Sequence, residues 1–147
     1  MAIRDDQILR GRCLCGSVTY EVTGPPQIVA HCHCDDCQHL TGAGHSTGAM
    51  YPASRFRLAG RIGEHRLKSD AGNVVTRAFC PACGSPIFGR NSGMGDFVTV
   101  SLGTFDDSSM FEPAVAIFAR NRRPWDVMNT SLPTFESQPT WRPEGSA

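Results

Sequence analysis

Three cysteines fall within six residues, in Cys32-His33-Cys34-Asp35-Asp36-Cys37. Free thiols placed so close together oxidise and exchange readily, so such a cluster favours a bound metal ion. Three thiolates on one short loop can occupy one face of a tetrahedral zinc ion and leave its fourth position open. An open fourth position is the feature that distinguishes catalytic from structural zinc. The cluster therefore predicts a zinc site whose ligands are Cys32, Cys34 and Cys37.

The fourth position of this zinc could be filled by water, by a substrate thiolate or by a nearby histidine: His31, His33, His39 or His45. A histidine ligand would convert the site into a closed structural centre. His33 is the least suited, since it should point opposite to its two cysteine neighbours on an extended chain. As an unbound side chain, His33, His39 or His45 could instead carry a proton at the site.

The remaining cysteines form two pairs, Cys13-Leu14-Cys15 and Cys80-Pro81-Ala82-Cys83. The two residues inside the second pair let the backbone turn so that both sulfurs face one ion, and Gly84 can adopt the positive φ that such a turn tends to require. In the first pair, an extended chain would place both thiols on one side and Leu14 on the other. A pair is too small for structural zinc, so together they predict a closed site of four thiolates: Cys13, Cys15, Cys80 and Cys83. Two isolated pairs of buried or reactive thiols are the alternative.

Composition limits the classes of protein to consider. The 147 residues suit one domain, and 40% hydrophobic with 19% charged residues are typical of a globular protein. Lys plus Arg equals Asp plus Glu at 14 each, so no net field favours nucleic acid or an acidic membrane surface. The sequence shows neither a signal-peptide core nor an apolar run of membrane-spanning length, and seven cysteines cannot all pair in disulfides. We therefore expect a cytoplasmic protein that binds neither nucleic acid nor a membrane.

Short strands are the elements that must position the cysteines. Val18, Tyr20 and Val22 alternate with polar residues, and this period of two is typical of a half-buried strand. Similar short apolar segments, separated by Gly and Pro turns, predict strands at 17–23, 27–31, 45–51, 55–58, 64–67, 74–79, 86–89, 96–102 and 114–119. No stretch has a long helical period. The sequence therefore predicts an all-β domain of roughly eight or more short strands.

One or two helical turns are predicted within the cysteine cluster itself, at residues 35–41. Asp35 is the expected N-cap, because a short carboxylate can accept the unpaired N–H groups of the first turn. Gly42 or Gly44 is expected to end the helix.

The chain is predicted to form a single zinc-binding domain over residues 1–147, with a core of about 10–125. Residues 126–147 are rich in Pro and polar residues and predict a tail that wraps the surface, anchored by Trp125. A basic cluster precedes the tail and could bind a substrate carboxylate, although a solvated loop is the simpler interpretation: Arg120, Arg122 and Arg123.

The sequence resembles the family of the glutathione-dependent formaldehyde-activating enzyme, which includes centromere protein V. The resemblance covers nearly the whole chain and lies in Cys13-Leu14-Cys15-Gly16-Ser17-Val18, Cys32-His33-Cys34-Asp35-Asp36-Cys37 with Gly42, Phe79-Cys80-Pro81-Ala82-Cys83-Gly84, Arg122-Arg123-Pro124-Trp125 and Leu132-Pro133-Thr134-Phe135-Glu136. The spaced cysteine triplet makes the resemblance specific. The enzyme that gives the family its name has a longer C-terminal part, so the resemblance implies the family more firmly than the substrate pair.

The resemblance implies a tent-like sandwich of short antiparallel sheets with a structural zinc on Cys13, Cys15, Cys80 and Cys83. It implies a catalytic zinc on Cys32, Cys34 and Cys37. The implied activity is carbon–sulfur bond formation and cleavage, which joins glutathione to formaldehyde as S-hydroxymethylglutathione. The expected cofactor is thus zinc, two ions per chain, and the expected partners are a small-molecule thiol and an aldehyde. A homodimer is possible, and the sequence does not decide the oligomeric state.

Two classes of function follow from these residues. In the first, the protein is a carbon–sulfur lyase, and its triplet zinc delivers a substrate thiolate; three thiolate ligands make the ion too electron-rich to favour strong Lewis acidity. In the second, it is a non-catalytic binding module stabilised by two structural zincs. An exchangeable ligand on the triplet zinc would indicate the enzyme, and a histidine fixed in that position would indicate the module.

Overall fold

Ten strands form the framework of the computed structural model, which describes residues 2–129 and 131–139. They are β1 (Ile8–Arg12), β2 (Thr19–Thr23), β3 (Ile28–Cys32), β4 (Ser46–Pro52), β5 (Phe56–Ala59), β6 (Gly63–Lys68), β7 (Val74–Phe79), β8 (Pro86–Asn91), β9 (Phe97–Ser101) and β10 (Val115–Ile117). A seven-residue helix, α1 (Asp35–Thr41), joins β3 to β4, and short 3₁₀ turns lie at Ala53–Arg55, Ser92–Met94, Leu102–Thr104 and Ala119–Asn121. Strand accounts for 39% and helix for 14%, which confirms the all-β prediction. Residues 130 and 140–147 of the predicted tail lie outside the described residues.

The strands form two open sheets. The smaller has the order β1-β2-β5, and the larger has the order β10-β3-β4-β9-β8-β7-β6. Every pair is antiparallel except β10 with β3, which run parallel. This pair differs from the antiparallel arrangement that the resemblance implies, because the long connection at 102–114 lets β10 return in either direction. In the described ranges, no helix is long and apolar enough to cross a membrane.

The apolar faces of the two sheets share one core. Val18, Tyr20 and Val22 are all buried, as their period of two predicts. The larger sheet contributes further buried side chains: Val29, Ala49, Tyr51, Ile87, Val98 and Val100. The hydroxyl of Tyr51 donates a hydrogen bond to the carbonyl of Gly24 at 2.9 Å, so its polar atom is satisfied inside the core.

Strand β1 has no counterpart among the sequence predictions because its residues do not alternate. Gly11, in its second half, pairs with Tyr20 of β2, and a Cβ at Gly11 would overlap the Tyr20 ring. Gly11 also forms an isolated bridge with Phe105, which follows β9. The burial of β1 does alternate in the structure, but the apolar Ile8 is exposed and the buried Gly11 has no side chain, so the sequence shows no amphipathic pattern.

The N-cap of α1 is Cys34, and the prediction of Asp35 is wrong. The Sγ of Cys34 accepts the backbone N–H of Cys37 at 3.3 Å, so a thiol takes the role of the usual capping oxygen. Asp35 lies in the first turn instead, where the helix dipole favours a negative charge. Gly42 ends the helix with φ of 69°, as predicted.

After β10, which is the last strand, the chain turns back and residues 133–135 hydrogen-bond to that strand. The backbone N–H of Ala116 donates to the carbonyl of Pro133 at 3.0 Å, and that of Phe135 donates to the carbonyl of Ala116 at 2.9 Å. Trp125 is 67% exposed, so the prediction that it anchors this segment is wrong. The next residue, Asp126, is the buried one, because its carboxylate finds partners inside the protein.

Truncation of a core residue tests the placement of the core. Ile87→Ala should lower the free energy of unfolding by about 2–5 kcal/mol, because Ile87 is fully buried and its loss leaves a cavity. Val127→Ala is a control at an apolar side chain that is 85% exposed, and it should change the stability by less than about 0.5 kcal/mol. Urea denaturation followed by circular dichroism measures both, and equal losses would contradict this core.

Candidate metal centres and the adjoining cavity

Four sulfurs from separate parts of the chain lie within 4.8 Å of one another: those of Cys13, Cys15, Cys80 and Cys83. Cys13 follows β1 in the smaller sheet, and Cys80 follows β7 in the larger one. The Sγ atoms of Cys13 and Cys15 are 3.6 Å apart, and those of Cys15 and Cys80 are 3.9 Å apart. Sulfurs this close suit one tetrahedral ion.

Turns bring the two members of each pair together. The N–H of Gly16 donates to the carbonyl of Cys13 at 3.2 Å, and Leu14 faces solvent with 79% exposure. Leu14 thus points away as predicted, but the predicted extended backbone is wrong because β1 ends one residue before the pair. In the second pair, Gly84 has the predicted positive φ, at 80°, and its N–H donates to the carbonyl of Cys80 at 2.8 Å.

Two serine hydroxyls surround this group of sulfurs. The Oγ of Ser17 lies 3.0 Å from the Sγ of Cys15 and 3.3 Å from that of Cys80. The Oγ of Ser85 lies 3.2 Å from the Sγ of Cys83, and hydrogen bonds from Ser85 lower the pKa of Cys83 to about 5. Because the thiolate is the form that binds zinc, this set of donors fits the metal.

A second group of sulfurs forms where β3 meets α1. Cys32 ends β3, Cys34 caps α1 and Cys37 lies in its first turn, and their Sγ atoms lie within 4.8 Å of one another. Hydrogen bonds from Cys32 and then Cys34 lower the pKa of Cys37, whereas the hydrogen bond with Cys34 raises the pKa of Cys32. The guanidinium of Arg77 lies 3.8 Å from the Sγ of Cys37. Of the three thiols, Cys37 is therefore the one that favours the thiolate, which is the form that binds zinc.

Among the described residues, no histidine nitrogen lies within 4.8 Å of all three triplet sulfurs. His39 lies on an exposed face of α1 with its Nδ1 2.8 Å from the carbonyl of Asp35. The Nδ1 of His31 lies 2.7 Å from the Oγ1 of Thr47. The other two candidates, His33 and His45, face a carboxylate. The closed centre of three cysteines and one histidine therefore has no support in this geometry.

That carboxylate belongs to Asp126, which sequence reasoning missed. The Nδ1 of His45 lies 2.8 Å from the Oδ2 of Asp126, and the Nδ1 of His33 lies 3.3 Å from the same oxygen. His45 and Asp126 are 81 positions apart, so no local motif marks the pair. Gly44 leaves the space for it, since a Cβ there would lie 2.5 Å from the Cγ of Asp126. The ligand atoms of these two histidines and the aspartate also lie within 4.8 Å of one another.

A cavity of about 220 Å³ opens beside the triplet, among residues of β4, β7, β8 and β9. Its walls include His45, Ser46, Arg77, Phe79, Phe88 and Leu102. Ser46 and Arg77 both contact the thiol of Cys37, so a molecule in the cavity would sit next to the triplet. A larger hollow of about 480 Å³ beside Ala2 and Met110 is lined by no cysteine or histidine, so the smaller cavity is the candidate substrate site.

Arg122 and Arg123, which precede the tail, form contacts within the protein. The Nε of Arg122 donates to the carbonyl of Asp126 at 3.0 Å, and the Nη2 of Arg123 lies 3.4 Å from the carboxylate of Asp35. The Arg123 contact attaches this segment to α1. The guanidinium of Arg120 lies over the Phe118 ring, and none of the three arginines lines the cavity, so the structure does not support the carboxylate clamp. Arg77 is the arginine that lines the cavity.

The fold and the site together define a small β protein whose sheets meet at one cysteine cluster and whose cavity adjoins a second. A family model described as glutathione-dependent formaldehyde-activating enzyme matches residues 8–121, and the chain belongs to this family. The fold is also similar to that in the crystal structure of a Rhodobacter sphaeroides protein, with a TM-score of 0.55 and 15% identity over 86% of this chain and 99% of that chain. No curated protein matches the sequence.

Removal of the Arg77 charge should raise the pKa of Cys37 in the metal-free protein, because a cation 3.8 Å from the sulfur stabilises the thiolate. Arg77→Ala should therefore move the pH midpoint of Cys37 alkylation to higher pH. Iodoacetamide labelling followed by peptide mass spectrometry measures the rate at each pH. Arg57→Ala, at an exposed position on β5, is the matched control and should leave the midpoint unchanged. Equal midpoints for the two variants would show that Arg77 does not act on this thiol.

Proposed function

We propose that the protein is a zinc-dependent carbon–sulfur lyase-type enzyme that joins or cleaves a small thiol and an aldehyde. The observation that carries this proposal is the position of the cysteine triplet, which adjoins a cavity of about 220 Å³ and has no histidine ligand among the described residues. Three sulfurs leave the fourth position of a tetrahedral ion for a substrate. Membership of the family points to glutathione as the thiol and to formaldehyde as the aldehyde.

In this proposal the protein holds two zinc ions per chain with different roles. The structural ion binds Cys13, Cys15, Cys80 and Cys83, and the ion at the substrate site binds Cys32, Cys34 and Cys37. The hydroxyl groups around the first cluster and the guanidinium beside the second support thiolate ligands in both places. The seven cysteines are free of disulfides, and such thiols persist in a reducing compartment, which we take to be the cytoplasm.

The side chains of the cavity would place the two substrates. When bound, the triplet zinc would stabilise the substrate thiolate at neutral pH. Arg77 offers a positive charge to the thiolate or to a carboxylate of the thiol substrate. Phe79 and Phe88 supply apolar walls that exclude water from the reacting pair.

We also propose that residues 1–147 form one domain with a core of about 10–125. The parallel pairing of β10 with β3 and the return of the chain along β10 support this, since they attach the last described segment to the sheet that carries the triplet. A separate C-terminal unit would need a linker instead.

Metal counting tests the two-zinc proposal. Native mass spectrometry should find two zinc ions per chain, and Cys37→Ser should lose one of them, since two sulfurs hold zinc poorly. Glutathione should form an adduct with, or remove, only the ion that Cys37→Ser lacks. Ser108→Ala, at a loop position away from both clusters, is the control and should retain both ions. Two ions that both resist glutathione would indicate the binding module with two structural zincs, and a single ion in the wild type would remove the proposed catalytic centre.

The activity itself can be measured by exchange NMR. The zinc-loaded protein should accelerate the interconversion of glutathione plus formaldehyde with S-hydroxymethylglutathione. Cys37→Ser should lower that rate by about 100-fold or more, because it removes a ligand of the substrate-site zinc. Arg57→Ala should retain the wild-type rate. If the wild type does not exceed the spontaneous rate with this or any other thiol–aldehyde pair, the proposed function is wrong.

A further inference from the structure

His45 and Asp126 form a hydrogen-bonded pair at the edge of the cavity. His45 lines the cavity and its side chain is 24% exposed, whereas the Asp126 side chain is only 10% exposed. Their Nδ1 and Oδ2 atoms are 2.8 Å apart, a distance typical of a charge-assisted hydrogen bond. A solvent-accessible imidazole is thus tied to a carboxylate that water barely reaches.

The hydrogen bonds fix the tautomer of this imidazole. An ionised carboxylate can only accept, so the Nδ1 of His45 carries the hydrogen and its Nε2 carries the free lone pair. His33 is held in the same way, since its Nδ1 is 3.3 Å from both the Oδ2 of Asp126 and the carbonyl oxygen of Gly44, and both only accept. An imidazole oriented by a carboxylate through one nitrogen can take up a proton at the other.

Only one of the clustered histidines is placed to exchange a proton with a molecule in the cavity. His45 lines the cavity, whereas neither His31 nor His33 does. His33 is 1% exposed, and the His31 ring packs edge-on against His45 with centroids 4.8 Å apart. The titratable and charged groups that face His45 from the surrounding elements are His31, His33, Asp126 and, across the cavity, Arg77.

We propose that His45 is the general acid–base of the reaction and that Asp126 is its positioning residue. This assignment rests on the proposed function and adds to it the group that moves the proton. In the joining direction, the Nε2 of His45 takes the proton from the substrate thiol, the sulfur–carbon bond forms and the π bond of the aldehyde breaks. The imidazolium then returns the same proton to the carbonyl-derived oxygen. Atoms and charge balance with no further reactant, and the cleavage direction runs through the same steps in reverse.

Imidazole rescue tests His45 directly. His45→Ala should lower kcat/KM for the thiol–aldehyde reaction by about 100-fold or more, and added imidazole should restore part of it, because a small base can enter the space left in the cavity. His39→Ala is the matched control, since that side chain lies on the exposed face of α1. It should keep the wild-type rate. An active wild type with an equally active His45→Ala, or a loss in His45→Ala that imidazole does not restore, would overturn the assignment.

Two substitutions test the positioning role of Asp126 without changing His45. Asp126→Asn removes the charge, and Gly44→Ala places a methyl group 2.5 Å from the present position of the Asp126 Cγ, so the carboxylate must move. Each should lower kcat/KM by about tenfold or more and change its pH profile, because the imidazole loses the partner that orients it. ¹⁵N NMR of the imidazole should show Nδ1–H on His45 in the wild type and a mixture of tautomers in both variants. An unchanged pH profile and tautomer would show that Asp126 does not position His45.

These outcomes distinguish a failure of the proposed function from a failure of the assignment of His45 as the acid–base. A wild type without thiol–aldehyde activity would overturn the proposed function and the acid–base assignment together. An active wild type that fails the rescue or the pH test would overturn the assignment alone. A third zinc ion per chain that Asp126→Asn removes would also overturn it, since it would make His33, His45 and Asp126 a metal site.

Discussion

The Cys13 and Cys15 pair follows β1 in the smaller sheet, whereas Cys80 and Cys83 follow β7 in the larger sheet. Four thiols can approach within 4.8 Å only if both sheets are in their final positions. A zinc ion at this point would therefore stabilise the packing of one sheet on the other, and its binding free energy would be folding free energy. The position of β1 matters for the same reason, because Gly11 lets that strand lie against the Tyr20 ring and deliver the first pair.

The triplet depends on a different kind of junction, between a strand end and a helix start. Cys34 serves there both as the N-cap of α1 and as a neighbour of the other two sulfurs. The Sγ of Cys34 accepts the Cys37 N–H, so the contact that caps the helix also fixes this sulfur beside the other two. Because β3 lies between β4 and β10, the strand that delivers Cys32 is held on both sides, and the junction is rigid where the chemistry would need it.

The segment after β10 contributes to the site without lining the cavity. It brings Asp126 beside His45, and the carbonyl of the same residue accepts a hydrogen bond from Arg122. The carboxylate fits only because Gly44 has no side chain. A late, irregular part of the chain thus orients a side chain that lies next to the triplet, which is how loops on a rigid scaffold commonly contribute to active sites.

Most of the short strands, the positive φ at Gly84, the end of α1 at Gly42 and the grouping of the cysteines by their spacing could be predicted from the sequence, because each depends on residues within a few positions of one another. The sequence could not determine β1, since a glycine that contacts an aromatic ring leaves no alternating pattern. It misplaced the helix cap because a cysteine there is not a common capping residue. The histidine that faces the cavity and the burial of Asp126 in place of Trp125 became clear only from the packed fold. Those outcomes depend on contacts between residues 81 positions apart, and the physical reason is that such contacts arise only when the packed sheets bring distant segments together.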